Sequence, residues 1–481
     1  MQDAAYASLL ISRRKQLHAR LAEVISEHNP EIADTQPELL AHHLTEADLI
    51  EQAIERWQQA ATLATRRSAN PEAVAHLERV LELIASLPDN ESRDRQELSL
   101  LIGYTAPLVA ARGYMVEELA RATERALDLS DKLGEAKQIM PVLYGQWAFQ
   151  LVAGSKARCA ELAKAILQPA ERGEDLDNRM IGHRLLGTAQ VTMGAFEEAR
   201  HNLETALELY DQDRHGPLAF QLGQNFRVGG LNFLAQAFSC LGFPAEATAR
   251  SREGIEFART LSHANTLAYA LHNGGVVLGA LLNDWDEVES CAQEMISVGK
   301  EHGLQMWLGV GMFWRAWLKI MRGELRSGVE ASKQSFEALY VQGGVNYLMP
   351  WSMAVLAEGY IRLGEFDAAV GAIADSKAIM ERSQERWVES ETHRIEGNLH
   401  LANGADQAQA EACYLRGLRL TRDQRARSLE LRVANSLSRL WTDQDRRDEA
   451  RELLQPVVDT FTDGFEFADL TEARELLEGL S

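Results

Sequence analysis

One stretch of the chain reads HRLLGTAQVTMGAFEEARHNLETALELY, residues 183–210, and contains two amphipathic patterns on either side of Gly194. In the first half, apolar residues recur at helical spacing, at Leu186, Ala189 and Met193. The second half places five further residues on one helix face: Ala199, Leu203, Ala206, Leu207 and Tyr210. Two such helices joined by a tight turn form an αα-hairpin, and neither helix buries its apolar face without a neighbouring hairpin.

The turn residue of this hairpin recurs along most of the chain. Its equivalents are Gly113, Gly154, Gly194, Gly242, Asn283, Gly323, Gly364, Gly404 and Asp445. Successive positions are 40 or 41 residues apart, except for 48 between Gly194 and Gly242. Glycine, asparagine and aspartate tolerate the left-handed conformation that ends many helices. The sequence therefore predicts an all-α, right-handed superhelical solenoid with a period of about 40 residues, in which each hairpin touches mainly its neighbours.

Composition narrows the possible partners and the cellular location. The 481 residues carry a formal charge of −22, which argues against nucleic acid and against a membrane surface as partners. The four cysteines form no CxxC pair, and no apolar stretch approaches the roughly 20 residues of a spanning helix. These features predict a cytoplasmic protein without a disulfide framework.

The ends of the chain depart from the repeat. We expect four segments: an N-terminal helical segment (1–40), degenerate first repeats (41–95), the solenoid (96–465) and a C-terminal capping helix (466–481). Four leucines of the first segment are candidates for burial: Leu9, Leu10, Leu17 and Leu21. In the last segment, Asp469 and Glu472 have the spacing of a capping box.

Motif searches predict no catalytic, cofactor-binding or metal-binding residues. Gly154-Ser155-Lys156 lacks the upstream glycine of a phosphate-binding loop, and no HExxH, GxSxG or EF-hand pattern occurs. Adjacent helical residues point about 100° apart, so His42 and His43 cannot hold one metal ion side by side.

The strongest candidate for a binding surface is a group of aromatic residues. Trp307, Trp314 and Trp351 lie in a segment rich in Trp and Tyr, while Arg315, Lys319 and Arg322 form a basic stripe on the same helix. One interpretation is that the aromatic residues only fill hairpin cores. The other is that they line the concave face beside the basic stripe and bind an anionic small molecule or an acidic peptide.

Two further features admit both a structural and a functional interpretation. Arginines concentrate near the C-terminus, and four of them form a candidate docking face for an acidic partner: Arg416, Arg419, Arg422 and Arg425. Glycines within helical segments indicate close helix crossings or a flexible superhelix: Gly229, Gly230, Gly274, Gly275, Gly279, Gly309 and Gly311.

The repeat resembles the tetratricopeptide repeat (TPR). In that family the first helix ends in Leu-Gly-x-x-Tyr and the second carries Ala-x₃-Phe-x₂-Ala, matched in one hairpin by Leu186, Gly187, Ala199, Leu203 and Ala206. A second hairpin matches through Ala357, Tyr360, Gly364, Phe366 and Ala369. The usual TPR period is 34, so these hairpins are longer.

Four segments carry a more specific resemblance: QDAAYASLLISRRKQLHARLAEVI, AHHLTEADLIEQAIERWQQAATLATRRSANPEAVAHLERVLELI, SLELRVANSLSRLW and GFEFADLTEARELLEGL. They are similar to the C-terminal half of bacterial proteins that join a class III adenylate/guanylate cyclase domain, a STAND-type ATPase module and a TPR-like tail. The resemblance implies that the first segment is a remnant of the ATPase module, and that cyclase and ATPase modules act in cis or come from a split gene.

The function expected from this resemblance is regulatory. We expect a non-catalytic sensor region that binds a protein or small ligand on its concave face. The alternative is a free-standing TPR scaffold, and a third hypothesis is an enzyme with its site in the aromatic groove.

Overall fold

The protein is described by a computed structural model covering residues 11–113, 116–133, 139–173, 175–342, 344–404, 407–464 and 466–480. All regular secondary structure in these ranges is helical. The helices group into two compact units, one reaching to Val142 and the other starting at Leu143, apart from a short stretch at Gly113 that clusters with the second unit. No helix among the described residues combines the length and the apolar character that crossing a membrane requires.

The first unit contains the degenerate N-terminal repeats. Its helices are α1 (Ile11–His28), α2 (Pro30–Thr35), α3 (Pro37–Glu46), α4 (Ile50–Arg66), α5 (Asn70–Ala85), α6 (Glu91–Arg112) and α7 (Glu117–Leu133). The expected burial of Leu17 and Leu21 is wrong, since they are 41% and 47% exposed. Helix α1 instead turns His18 and Ala22 inward, toward a core shared with α3. Leu9 and Leu10 lie outside the described residues.

The second unit is a series of αα-hairpins. Its helices are α8 (Ile139–Ala153), α9 (Lys156–Gly173), α10 (Leu176–Met193), α11 (Phe196–Leu209), α12 (Gln212–His215), α13 (Leu218–Leu222), α14 (Phe226–Leu241), α15 (Pro244–Thr260), α16 (Ala264–Ala270), α17 (Val277–Leu282), α18 (Trp285–Glu301), α19 (Gln305–Met321), α20 (Leu325–Phe336), α21 (Met349–Leu363), α22 (Phe366–Ser383), α23 (Glu389–Ala402), α24 (Gln407–Asp423), α25 (Arg427–Asp443), α26 (Arg447–Val458) and α27 (Ala468–Gly479). Two π-helical turns, Leu271–Val276 and Glu337–Gln342, interrupt the α-helical series. The short helices α12 and α13 account for the one repeat separation of 48 residues.

Most of the predicted turn residues adopt the expected left-handed conformation. Examples are Gly194 with φ of 80° and Asn283 with φ of 58°. Gly154 is an exception, because side chains bond the end of its helix instead: the Ser155 N–H donates to Gln150 Oε1, and Lys156 Nζ donates to the Leu151 carbonyl.

In several hairpins of the second unit, such as the pair α14 and α15, the first helix is more deeply buried than the second. In α14 every residue except Arg227 is buried, whereas α11 buries only one face. The glycines of these buried helices lie at close crossings. A Cβ on Gly229 would collide with the Arg184 guanidinium, and one on Gly274 would lie 2.7 Å from Asn232 Oδ1. These contacts agree with the close-crossing interpretation.

Hydrogen bonds also join hairpins that are far apart in sequence. The Val152 carbonyl at the end of α8 accepts from the N–H groups of Asn346 and Tyr347, at 2.6 and 2.9 Å. In the same way, the Thr192 carbonyl accepts from the Arg386 N–H at 2.9 Å, and the Ser239 carbonyl accepts from Ser428 Oγ, 189 residues later, at 2.6 Å. Most helix–helix contacts lie between neighbouring hairpins, as expected, and in the second unit these long-range hydrogen bonds add to them, because loop residues satisfy the open carbonyls of distant helix ends.

The last helix, α27, belongs to the same system of long-range contacts. Asp469 does not form the predicted capping box, because the residue before the helix is Phe467 and Asp469 lies within its first turn. Its buried carboxylate instead accepts from Arg432 Nε at 2.8 Å and from Asn283 Nδ2 at 3.0 Å.

Candidate ligand-binding cavity

The second unit contains an aromatic cavity of about 70 Å³ between its buried helices. Its walls come from α8, α14, α19 and both π-helical turns, and from the chain that follows the second turn. Nineteen side chains line it: Trp147, Ala148, Leu151, Val152, Gln224, Phe233, Tyr269, His272, Asn273, Met306, Trp307, Val310, Phe313, Trp314, Leu339, Tyr340, Val345, Tyr347 and Leu348. Met306, Val310 and Val345 are half-buried and mark the side of the cavity that faces outward.

The π-helical turn at 271–276 places polar groups on this wall. A π turn inserts an extra residue into a helix and often accompanies a functional site. Here it carries His272 and Asn273 into the lining. The Asn273 amide donates to the Tyr269 carbonyl at 3.2 Å, and Tyr347 Oη donates to Asn273 Oδ1 at 3.2 Å. Asn273 is therefore held in place by residues on both sides of the cavity.

Two polar groups of the lining have no hydrogen-bond partner among the described residues. They are Nε1 of Trp147 and Nδ1 of His272, and both side chains are buried. Burial lowers the pKa of His272 to about 3, so its imidazole is neutral at pH 7. An unpaired buried polar group costs about 1–3 kcal/mol, so both atoms are places where a bound molecule would gain free energy.

Arg184 lies directly behind this wall and is completely buried. Its Nη2 donates to Gln224 Oε1 at 3.0 Å and to Tyr269 Oη at 2.8 Å. Its guanidinium carbon lies 5.3 Å from the centre of the Trp147 ring. Within the described part of the chain no carboxylate pairs with it, and its Nε and Nη1 have no partner.

A second buried cation, Lys156, lies beside Tyr347 of the lining but is not itself a lining residue. Lys156 and Glu385 are both fully buried and approach to 3.5 Å, and Lys156 Nζ lies 5.8 Å from the centre of the Tyr347 ring. Glu385 Oε1 also accepts from the Leu348 N–H and from Trp387 Nε1. Burial raises the pKa of Glu385, while the Lys156 ammonium opposes that shift.

A larger and more open pocket, of about 330 Å³, lies among the later hairpins of the second unit. Its polar side is a network of ion pairs, with Arg432 at 2.7 Å from Asp469 and Arg394 at 3.2 Å from Glu391. Trp285, Trp317 and Trp351 are among its aromatic lining residues. The arginines here are paired with carboxylates, in contrast to Arg184.

The predicted concave-face residues line different surfaces, although the rings of Trp314 and Trp351 touch, with their centroids 5.7 Å apart. Trp307 and Trp314 line the aromatic cavity, and Trp351 lines the larger pocket. The basic stripe lies elsewhere on α19. Arg315 is exposed, Lys319 is half-buried, and Arg322 pairs with Asp286 and Glu289 on α18. Contact of any of these residues with a partner stays a prediction.

The predicted docking face on α24 is accessible. Its four arginines, Arg416, Arg419, Arg422 and Arg425, are all exposed, and Arg422 pairs with Glu430 at 2.6 Å. Whether they contact an acidic partner is likewise still a prediction.

One group of side chains has donors of the kind that bind metal ions. Glu396, His400 and Cys413 bring their ligand atoms within 4.8 Å of one another. Lys377 Nζ, however, lies 2.6 Å from both Glu396 carboxylate oxygens, and burial raises the pKa of the Cys413 thiol to about 11. A metal ion would have to displace that ammonium and bind a thiol that resists deprotonation.

The fold has recognisable counterparts among solved structures. The crystal structure of the APC/C hetero-tetramer Cut9–Hcn1 superposes with a TM-score of 0.51 at 13% identity, covering 92% of this chain and 75% of that one. The human IFIT1 dimer with m7Gppp-AAAA gives a TM-score of 0.44 at 15% identity, over 98% of this chain and 95% of that one. The chain is a TPR-like, all-helical repeat protein. The predicted fold class is thereby confirmed.

Comparison of sequences does not assign the chain to a family. No protein-family model matches the chain. An uncharacterized protein of Rhizobium meliloti (strain 1021) is 22% identical over 445 residues, which are 92% of this chain and 43% of that protein. The TPR-like chain therefore spans less than half the length of this relative.

Trp307 and Trp314 of the cavity were identified from the sequence, but Trp147 and the polar groups of the lining were missed. Arg184 lies within residues 183–210, the stretch that reveals the repeat. A charged residue between apolar helix positions was the feature that could have indicated a buried polar group. The π turn contains the glycine pair Gly274-Gly275. The pair is visible in the sequence, but the sequence does not predict that the helix becomes a π turn there.

Proposed function

We propose that this TPR-like chain is a non-catalytic sensor region that binds a small ligand in the aromatic cavity of its second unit. One observation carries the proposal: two of the residues that line a mainly aromatic cavity, Trp147 and His272, each have a buried polar atom with no partner in the described part of the chain. Pockets that are mostly apolar with a few fixed polar groups are the usual form of small-molecule sites.

The cavity is placed where a ligand would influence several hairpins at once. Its lining residues come from α8, from α19 and from the segment 345–348, among other elements. Next to it, the Asn346 N–H donates a hydrogen bond to the Val152 carbonyl at the end of α8. A ligand that binds more tightly when these elements are close together would favour that arrangement. This differential affinity is the physical requirement for a sensor.

The wider context of the proposal is a signalling protein of the nucleotidyl cyclase type, with ATPase and cyclase modules in cis or from a split gene. The sequence resemblance supports this, as does a relative more than twice as long as the matched segment. In α1, Leu17, Leu21 and Val24 form an exposed apolar stripe that would suit contact with a preceding module.

A second candidate function is a free-standing scaffold that gathers protein partners. The exposed arginines of α24, which include Arg416 and Arg419, favour it, because an otherwise acidic chain presents positive charge there. Under this alternative an acidic protein docks on α24 and the aromatic cavity is only a packing feature.

Xenon, an apolar atom smaller than benzene, tests whether the cavity of about 70 Å³ binds ligands. We expect it to change the tryptophan fluorescence of the purified chain saturably, since Trp147, Trp307 and Trp314 line the cavity. Val310→Phe should abolish the response by filling the half-buried side of the cavity, and Leu415→Phe on exposed α24 is the matched control. An equal response in Val310→Phe, with folding verified by circular dichroism, would contradict the proposal.

The signalling context needs a separate experiment. The longest reading frame that contains this chain is expressed, and its nucleotide cyclase activity is compared with that of the same protein lacking the chain. We expect cyclase activity whose level changes on deletion. Absence of any cyclase sequence in the frame would favour the scaffold, and turnover of ATP or GTP by the purified chain would contradict a non-catalytic role.

A further inference from the structure

The larger pocket, of about 330 Å³, has an aromatic wall of its own. Trp285, Trp317 and Trp351 line it, one from each of α18, α19 and α21. The Trp285 and Trp317 rings are inclined by 62° with their centroids 5.4 Å apart, and the Trp317 and Trp351 rings by 65° at 6.4 Å. Rings inclined in this way form corners in which a guest lies close to two indoles at once. A cation within about 6 Å of an indole centroid is attracted to the face of that ring.

The charged side chains that line the pocket in the described structure carry one more negative than positive charge. They are three arginines, Arg394, Arg432 and Arg439, and four carboxylates, Glu358, Glu391, Asp469 and Glu472. Each arginine has a close carboxylate partner: Arg432 pairs with Asp469 at 2.7 Å, Arg394 with Glu391 at 3.2 Å, and Arg439 with Glu472. Burial alone would raise the pKa of Glu391, but Arg394 and Arg432 hold it below its usual value. These three pairs leave Glu358 as the surplus carboxylate.

Glu358 lies beside the aromatic wall. Trp351, Val355 and Glu358 follow one another on α21 at i, i+4 and i+7, so they share one face of that helix, and all three line the pocket. The Glu358 side chain is 23% exposed, and its one ion pair among the described residues, with Arg394, is 3.8 Å long. The pocket therefore combines a weakly compensated negative charge with indole rings, which is an environment that favours a cation.

The hydrogen bonds of the lining indicate the kind of cation. An ammonium or a guanidinium brings several N–H donors, each of which needs an acceptor when it leaves water. Glu391 already accepts from Arg394 Nε, and Asp469 from Arg432 Nε. Ser436 Oγ donates to the Arg432 carbonyl. A quaternary ammonium group carries no N–H donor and needs only ring faces and nearby negative charge.

We infer that the larger pocket binds a small quaternary ammonium compound, with its cationic head at a corner of the tryptophan wall and close to Glu358. The volume of about 330 Å³ lies at the lower end of the range of small-molecule sites, which is about 300–1,000 Å³. In the described structure the basic stripe of α19, Arg315, Lys319 and Arg322, does not contribute to this lining. The site is distinct from the aromatic cavity and does not depend on a ligand there.

Choline and its neutral isostere 3,3-dimethylbutan-1-ol test the inference, because they differ in charge and hardly in shape. Titration calorimetry of the purified chain at pH 7 should show that choline binds about tenfold or more tightly than the isostere, since only the cation is attracted to the ring faces. Ethanolamine, which carries N–H donors in place of the methyl groups, should bind more weakly than choline. Glycine betaine should also bind more weakly, because its carboxylate adds negative charge beside Glu358.

Variants assign the preference to particular side chains. Glu358→Gln should reduce the choline-to-isostere preference, and Glu358→Asp should keep part of it. Trp285→Leu should weaken choline more than the isostere, because it removes a half-buried ring but keeps an apolar side chain. The matched controls lie outside the pocket lining: Glu204→Gln, at a half-buried glutamate that pairs with Arg200, and Trp57→Leu, at a half-buried tryptophan of the first unit. A merely structural role would weaken both ligands equally and leave their ratio unchanged.

Several outcomes would overturn the inference. They are equal binding of choline and its isostere, and tighter binding of ethanolamine or glycine betaine than of choline. A choline preference that survives in Glu358→Gln, with folding verified by circular dichroism, would place the cation elsewhere and overturn it too. Failure of all four compounds to bind would also overturn it, but would leave the aromatic cavity unaffected, because xenon tests that cavity separately.

Discussion

His272 shows what burial does to a single titratable side chain in this protein. It stands in the π turn, its Nδ1 has no partner, and burial lowers the pKa of its imidazole to about 3. His263, which precedes α16, is similarly affected, with a pKa lowered to about 4 by burial. Both rings are neutral in the folded chain throughout the range in which an exposed histidine becomes charged.

This makes the stability of the second unit sensitive to acid. Because the folded-state pKa of His272 lies below the unfolded value near 6.5, the unfolded chain binds a proton first as the pH falls. The contribution of His272 is fully present above pH 6.5 and is lost below it. We expect urea unfolding of wild type to lose about 2 kcal/mol between pH 7 and pH 5 through this residue alone.

A pair of variants isolates that contribution. His272→Asn should show a smaller loss of stability between pH 7 and pH 5 than wild type, whatever its stability at pH 7. Gln293→Asn, which changes no titratable group and lies at an exposed position on α18, should lose as much as wild type. Identical pH dependence in His272→Asn and wild type would contradict the prediction.

At the scale of the helical elements, the left-handed turns are the feature that the sequence predicts best. The period of about 40 residues follows from turn residues alone, since each must adopt a backbone conformation that most side chains resist. Burial of the repeat's small residues, such as Ala199 and Ala369, follows from the same alignment. The sequence was less informative for α1, where leucines at helical spacing are exposed and His18 and Ala22 are buried.

Alanine substitutions at two glycines test the role of the turns, and we expect opposite effects on the free energy of unfolding. Gly364 has φ of 77° and Gly371 lies within helix α22, and a Cβ at either position meets nothing within 4 Å. Gly364→Ala should destabilise the chain by about 1 kcal/mol through backbone strain. Gly371→Ala should stabilise it by about 0.5–1 kcal/mol through helix propensity. Urea unfolding of both variants measures this, and a shift in the same direction for both would refute it.

At the scale of the whole molecule, the second unit is held by contacts that the repeat does not predict. They run from helix-end carbonyls to loop N–H groups and side chains, as between Val152 and Asn346 or between Ser239 and Ser428. Backbone groups are present at every residue, so no sequence pattern marks these partners. The buried position of Arg184 and the cavity beside it were unpredictable for the same reason, since they depend on how distant hairpins meet.

Hydrogen exchange can detect these long-range contacts directly. The N–H groups of Asn346, Tyr347 and Arg386 lie in loops but donate to carbonyls of distant helices. We expect them to exchange as slowly as amides within the buried helix α14, because opening them requires separation of distant hairpins. The N–H of the turn residue Gly364 bonds only within its own helix end and should exchange much faster. Fast exchange at Asn346 and Tyr347 would contradict the prediction.

The hydrogen bonds of Asn346 also have a consequence for folding during synthesis on the ribosome. Asn346 Nδ2 donates to the Ala153 carbonyl across 193 residues of sequence, so the end of α8 has no such partner when it leaves the ribosome. At a synthesis rate of 5–20 residues per second, about 10 to 40 s pass before that partner is translated. During this interval the early hairpins expose the aromatic wall that later surrounds the cavity. The nascent second unit thus passes through a period in which a chaperone has access to that wall.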